Sequence, residues 1–165
     1  MNEALRELRP QPAGVDRAHV PMSVPREATV LAFDFGTRRI GVAIGNTLVG
    51  VARPLATIDA AVADSRFAAI ASLIREWQPD QLVVGVPVHA DGREHAMTSR
   101  ARRFARQLAG RFRLPVVEAD ERYSTQDAAS ALQHSGGGGR PGRDKRDEIA
   151  AQVILQAWFD TRHAG

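Results

Sequence analysis

The chain has 165 residues and 44% hydrophobic content, enough for one domain of ordinary size with a buried core and too little for two independently folded halves. It contains no cysteine, which excludes disulfide staples, thiolate metal sites and cysteine nucleophiles, and agrees with a reducing compartment. The net charge of +3 conceals an arginine excess, because Lys145 is the single lysine among 22 basic residues set against 19 carboxylates.

A GC-rich genome would produce that excess, and so would a need for planar guanidinium groups that bind phosphate. Composition does not separate the two, but a pI near 10.4 tilts the partner towards a polyanion. Charge or glycine interrupts every apolar stretch before the roughly 20 residues a bilayer span needs, and the N-terminus lacks a signal peptide's apolar centre. The expectation is a soluble cytoplasmic protein.

Residues 1–28 hold Pro10, Pro12, Pro21 and Pro25 without a sustained apolar period, and read as a mobile tail ahead of one domain over 29–162. The run Val30-Leu31-Ala32-Phe33-Asp34 has the pattern of a central strand buried on both faces that ends in a carboxylate. Gly36-Thr37-Arg38 supplies a turn. In Ile40-Gly41-Val42-Ala43-Ile44-Gly45 large side chains alternate with very small ones, predicting a second strand with one face open to close approach. A third strand, about Val51 to Ile58, contains Pro54 and therefore belongs at a sheet edge.

From Ala61 the period changes to that of a helix, with Phe67, Ile70, Ala71, Ile74 and Trp77 inward until Pro79 stops it. Gln81 to Val86 returns to a strand, followed by a loop with an Asp91-Gly92 turn signal. A second helix turns Ala101, Phe104, Ala105, Leu108 and Phe112 inward, with Arg102, Arg103 and Arg106 opposite. Pro115 to Glu118 reads as another central strand leading into Asp120-Glu121-Arg122. Ser124-x-x-Asp127 fits a capping box that opens a third helix. A glycine run, Gly136 to Gly139, precedes a final helix from about Asp144 to Thr161. The first three strands can pair through short connections, whereas the last two need crossovers, giving a mixed α/β layer.

Three acids stand out. Asp34 closes the most buried strand, where an ionised carboxylate is costly unless a cation or donor meets it; the plainer account is a cap on the Gly36 and Thr37 amides. Glu121 lies just beyond a strand, although an ordinary loop acid would look the same. Asp147 falls within about 40° of Ala151, Ile154 and Trp158 on the last helix, and so shares its buried stripe. The helix dipole favours an acid in a first turn but does not explain why it faces inward. Asp144, about 60° round, could assist.

If the ends of the parallel strands lie side by side, these carboxylates converge, and their repulsion calls for a divalent cation. Oxygen-only ligation favours Mg²⁺ or Mn²⁺ over zinc. Two such ions about 3.5–4 Å apart would activate water on one side of a phosphodiester and stabilise the departing oxygen on the other. Arg38, Arg39, Arg122, Arg140, Arg143, Lys145 and Arg146 would place positive charge along a phosphate backbone. The glycine run lacks the Gly-Lys-Ser/Thr of a phosphate loop, so no nucleotide cofactor is expected, and His89, His95 and Ser99 read as surface polar residues.

The segments Val30 to Ala43, Val83-Val84-Gly85-Val86-Pro87, Asp120-Glu121-Arg122-Tyr123-Ser124-Thr125 and Asp147 with Ala150-Ala151 and Ile154-Leu155, in this order and spacing, resemble the YqgF (RuvX) family. The resemblance implies a ribonuclease H-like three-layer fold, with a five-stranded mixed sheet in the order 3-2-1-4-5 flanked by helices. It further implies a metal-dependent nuclease centre at Asp34, Glu121 and Asp147, acting on pre-16S ribosomal RNA during ribosome biogenesis, with Holliday junctions as the alternative substrate. Its partners would be structured RNA or branched DNA and ribosomal precursor particles, without a membrane. Asn46 and His89 depart from the family pattern, which bears on substrate contacts rather than catalysis. Two other readings stay open. Asp34-x-Gly36-Thr37 also resembles the phosphate loop of actin-like ATPases, and the chain could be a non-catalytic nucleic-acid-binding module.

Overall fold

The computed structural model describes residues 27–88, 95–121 and 142–164, with no account of the side chains of Arg143, Asp144 and Ala164. In chain order the elements are β1 (Thr29–Phe35), β2 (Arg39–Asn46), β3 (Ala52–Asp59), α1 (Ala63–Trp77), β4 (Gln81–Val86), α2 (Ala96–Phe112), β5 (Val116–Asp120) and α3 (Arg143–Ala164). The strands form one five-stranded sheet in the order β3-β2-β1-β4-β5. The β1–β2 and β2–β3 pairs are antiparallel, while β4 runs parallel to β1, and β5 to β4, as helical crossovers require. The Asp91-Gly92 turn, the Ser124-x-x-Asp127 capping box with its helix, the Gly136 to Gly139 run, His89 and residues 1–26 lie outside the described residues. No described helix is long and apolar enough to cross a membrane.

The fifth strand differs from its reading as central. It lies at a sheet edge, and none of its residues is fully buried. A short β-branched run such as Val116-Val117 looks the same in either place, because one covered face suffices to keep it apolar.

Alternation along β1 splits the apolar run between two cores. Leu31 and Phe33 join Ile40, Val42, Ile44, Leu82 and Val84 under α1 and α2, where Phe33 and Phe35 pack on Phe104. Val30 and Ala32 join Ala43, Val83, Ala151, Ile154, Leu155 and Phe159 under α3. Asp34 has the parity of Val30 and Ala32 and therefore belongs to the α3 face. Helix α2 starts at His95, whose Nδ1 accepts from the Met97 N–H; fully buried Thr98 accepts from the His95 N–H and donates to the Pro87 carbonyl. His95 thus has a structural task, and Ser99 is exposed.

The α3 face of the sheet is made of very small residues. A Cβ on Gly41 would lie 1.8 Å from the Asp147 carbonyl oxygen, and one on Gly45 would lie 2.5 Å from the Phe159 ring. The helix backbone therefore rests directly on β2. Glutamines fasten it along β3: Gln156 Oε1 accepts from the Ala52 N–H, Gln152 Nε2 donates to the Ala52 carbonyl, and Gln156 Nε2 donates to the Gly50 carbonyl. These bonds satisfy backbone groups on an edge strand that would otherwise invite pairing.

Two alanine substitutions should move stability in opposite directions. Gly41→Ala must push backbone off backbone and should destabilise by about 1–3 kcal/mol. Gly110→Ala, in α2 with nothing within 4 Å of the new methyl, should stabilise by about 0.5–1 kcal/mol. Urea denaturation of both variants checks the pair.

Candidate active site

The carboxyl ends of β1, β4 and β5 lie side by side, since Phe33 is level with Val84, and Val86 with Asp120. Glu121 extends this ladder by one residue, its N–H donating to the Val86 carbonyl at 3.1 Å. Asp34 and Glu121 belong to strands separated by β4, roughly 9–10 Å apart at two strand spacings. Their side chains nevertheless hydrogen-bond each other. The Glu121 carboxyl lies over Gly85, where an added Cβ would lie 2.6 Å from Glu121 Oε1 and 2.5 Å from Ile154 Cδ1. The missing side chain of Gly85 is the space that the Glu121 carboxyl occupies as it turns to Asp34.

Asp147 reaches the same place from the helix. Its carbonyl is seated on Gly41, the residue of β2 that pairs with Asp34. Its carboxylate oxygen Oδ2 accepts from Arg39 Nε at 2.6 Å in a partly buried ion pair. The structure therefore brings the three predicted acids into one neighbourhood but not into one cage. Among the described residues, no three acidic, histidine or cysteine side chains are arranged to hold a metal ion as they stand. Arg39, expected on the phosphate path, is here the partner of Asp147.

The electrostatics follow from this crowding. Burial pushes the Asp34 carboxyl up, the hydrogen bond from Glu121 offsets part of that, and the charge of Asp147 pushes it up further. Burial likewise drives Glu121 to about 8, reinforced by the Asp34 charge, the hydrogen bond to Asp34 and the charge of Asp120. Both carboxyls are thus raised, and the pair holds a proton between them more tightly than two free carboxyls would.

Arg38, Arg39, Thr57, Asp59 and Ala61 line an open cavity of about 530 Å³, which adjoins the acids through Arg39, the partner of Asp147. Arg38 is exposed at its rim, and Lys145 and Arg146 are exposed on the first turn of α3. Arg122 and Arg140 lie outside the described residues. Arg102 on α2 sits 3.7 Å from Glu118, with Arg103 and Arg106 exposed. Gly36 is needed by the β1–β2 turn itself, because a Cβ there would meet the Arg39 carbonyl at 2.6 Å. Asn46 lies at the far end of the sheet, level with Thr29, where its Oδ1 accepts from the Leu48 N–H. It is a turn residue at the end of the sheet away from Asp34.

Sequence reasoning missed the part played by Gly85, named only within a strand and a family motif, and the pairing of Arg39 with Asp147. A glycine inside an otherwise β-branched strand is a signal of close approach that could have found the first.

The raised Glu121 carboxyl fixes a sign. The folded chain binds this proton more tightly than the unfolded chain does, so unfolding releases it between the ordinary glutamate range and about pH 8. Without added metal, its contribution is fully present below the ordinary range and is lost as pH rises, by up to about 5 kcal/mol in all. Thermal melts in chelator should fall from about pH 5 to about pH 8, and Glu121→Gln should flatten that fall.

A family model described as "RuvX: Holliday junction resolvase" matches residues 28–161. A protein of Methylobacillus flagellatus named "Putative pre-16S rRNA nuclease" is 57% identical over 131 residues, covering 79% of this chain and 90% of that protein. One of the same name from Nitrosomonas europaea is 56% identical over 143 residues, covering 87% and 97%. Among solved structures, Thermus thermophilus RuvC in complex with a Holliday junction substrate superposes with a TM-score of 0.53 at 17% identity, over 82% of this chain and 95% of that one, which establishes the shared fold. With nearly the whole described chain inside the match and relatives above half identity, the chain belongs to the RuvX family of nucleases.

Proposed function

We propose that this chain is a divalent-cation-dependent endonuclease acting on structured RNA, with Asp34, Glu121 and Asp147 as its cation ligands and precursor 16S ribosomal RNA as its substrate. The observation that carries the reading is the contact of Asp34 with Glu121, whose carboxyl lies over Gly85, with Asp147 seated across from Asp34. Crowded and buried, the two carboxyls hold a proton more tightly than free acids do. The donor set fits a hard cation, being oxygen throughout, and Mg²⁺ or Mn²⁺ are the ions that prefer it. When bound, such an ion supplies an activated water at neutral pH and stabilisation of the departing oxygen.

The chain's own groups do the rest. Asp34 stands on the central strand of the sheet, on a rigid support. Glu121 holds a proton that it gives up when a stronger positive charge takes its place. Arg38 on the cavity lining and Lys145 and Arg146 on α3 supply positive charge for a phosphate backbone, and Arg122, Arg140 and Arg143, close to Glu121 and Asp147 in the sequence, are proposed to add to it. The RNA substrate is suggested by the names of the 51–57% identical relatives, and ribosomal precursor particles follow as the setting. The family description favours a second reading, in which the substrate is a four-way DNA junction.

Incubation of the purified chain with precursor 16S RNA and with a synthetic four-way junction, with and without Mn²⁺, tests both. Cleavage of the RNA that needs Mn²⁺ is expected, with Asp34→Asn reducing the rate at least about 100-fold while the fold persists. Cleavage of the junction alone would establish the second reading. Binding without cleavage of either substrate would make the chain a nucleic-acid-binding module.

A further inference from the structure

Asp147 has two possible partners and sits between them. Its main chain is fixed, because its carbonyl rests on Gly41 and leaves no room for a side chain there. Gly41 is level with Asp34 on β1, and Arg39 lies two residues before Gly41, on the same face of β2. From this one seat the Asp147 carboxylate can turn along β2 towards Arg39 or across to β1 towards Asp34. It turns to Arg39, whose Nε holds it at 2.6 Å, with both side chains only partly exposed.

A further bond ties this end of α3 to the sheet while the side chain chooses. Thr57 Oγ1 on β3 donates to Glu148 Oε1 at 3.5 Å. A change of partner by Asp147 therefore needs a side-chain rotation and no movement of the helix.

We propose that Arg39 is a positioning residue that holds the Asp147 carboxylate off the Asp34–Glu121 pair in the metal-free chain and releases it when a divalent cation binds. The inference rests on the reading of these acids as cation ligands. It assigns Arg39 a task distinct from phosphate binding: the guanidinium stands in for the cation at the one acid that arrives from α3, so that three carboxylates do not meet uncompensated. The ion pair must break for Asp147 to ligate, so part of the cation's affinity is used to break it.

Titration calorimetry of the full chain with MnCl₂ tests this in a double-mutant cycle. Arg39→Gln should bind Mn²⁺ roughly threefold to fivefold more tightly than the wild type, the worth of a partly exposed ion pair. Arg39→Met, which keeps the apolar stem, should do the same. In the Asp147→Asn background, either substitution should change affinity less than about twofold. In parallel, the Arg39 Nε–H should be protected from exchange in the metal-free chain and lose that protection on adding Mg²⁺ in NMR spectra. Unchanged or weaker Mn²⁺ binding by both Arg39 variants would overturn the proposal. So would a gain that persists in full with Asp147→Asn, which marks a general charge effect. A wild-type chain that takes up no Mn²⁺, or an Asp34→Asn variant that binds it as well as the wild type, would instead remove the cation-site reading, and with it the role of Arg39.

Discussion

Everything at the candidate site depends on how closely α3 and the two carboxylates can approach the sheet. Three positions on that face, Gly41, Gly45 and Gly85, carry no side chain, and each is filled by something else: a helix carbonyl, the Phe159 ring, and the Glu121 carboxyl beside Ile154. None of the three needs a left-handed backbone; among the described glycines that conformation belongs to Gly50. Their value is the absent Cβ. A helix packed over ordinary side chains stands about 10 Å from a sheet, and at that distance Asp147 could not lie across from Asp34. The large residues of the same strands, Ile40, Val42, Ile44, Leu82 and Val84, point the other way and build the main core. One alternation of large and small thus serves stability on one face and access on the other.

That access has an electrostatic consequence. Moving carboxylates together out of water raises their energy faster than any packing contact nearby lowers it, and the chain responds in two ways. Glu121 and Asp34 hold a proton between them, while Asp147 takes a guanidinium partner. Both responses are reversible by a stronger cation, and neither involves a group that must move far. A buried hydrophobic replacement would be more stable at each of these positions. Three acids brought together at the strand ends, one of them held by an arginine, are the mark of a site shaped for chemistry at some expense to stability.

Much of this was legible in the sequence because the signals were periodic. The small–large alternation of Ile40 to Gly45 marked a close approach, Pro54 marked an edge, and the helical phase of Asp147 marked an inward-facing acid; α3 meets the first and third of these at one point. Connection lengths set the sense of each pairing, and the strand order itself came with the family resemblance. What escaped was what periodicity does not encode. An edge strand with one covered face, such as Val116–Asp120, has the same apolar pattern as a central one. Arg39 lay in a row of basic residues whose common charge hid its separate partner, 108 residues away. Asn46, close to Gly41 in the sequence, lies at the opposite end of the sheet because β2 runs antiparallel to β1.

The start of α3 runs partly against helix energetics in a way that bears on the substrate. The positive end of a helix dipole favours acids and disfavours cations by about 0.3–1 kcal/mol each, yet Arg143, Lys145 and Arg146 occupy the first turn. Lys145 and Arg146 are exposed there, while Asp147, the next residue, faces the sheet. Basic residues at a helix C-terminus, as with Arg162 and His163 at the other end, would explain themselves through the dipole. At the start of α3 the basic residues alternate with Asp144 and Asp147, which suit the dipole, and a polyanion laid across the helix start would meet the dipole and the exposed Lys145 and Arg146 together. One turn of one helix thus joins the cations that attract a nucleic-acid backbone to the carboxylate aimed beneath it.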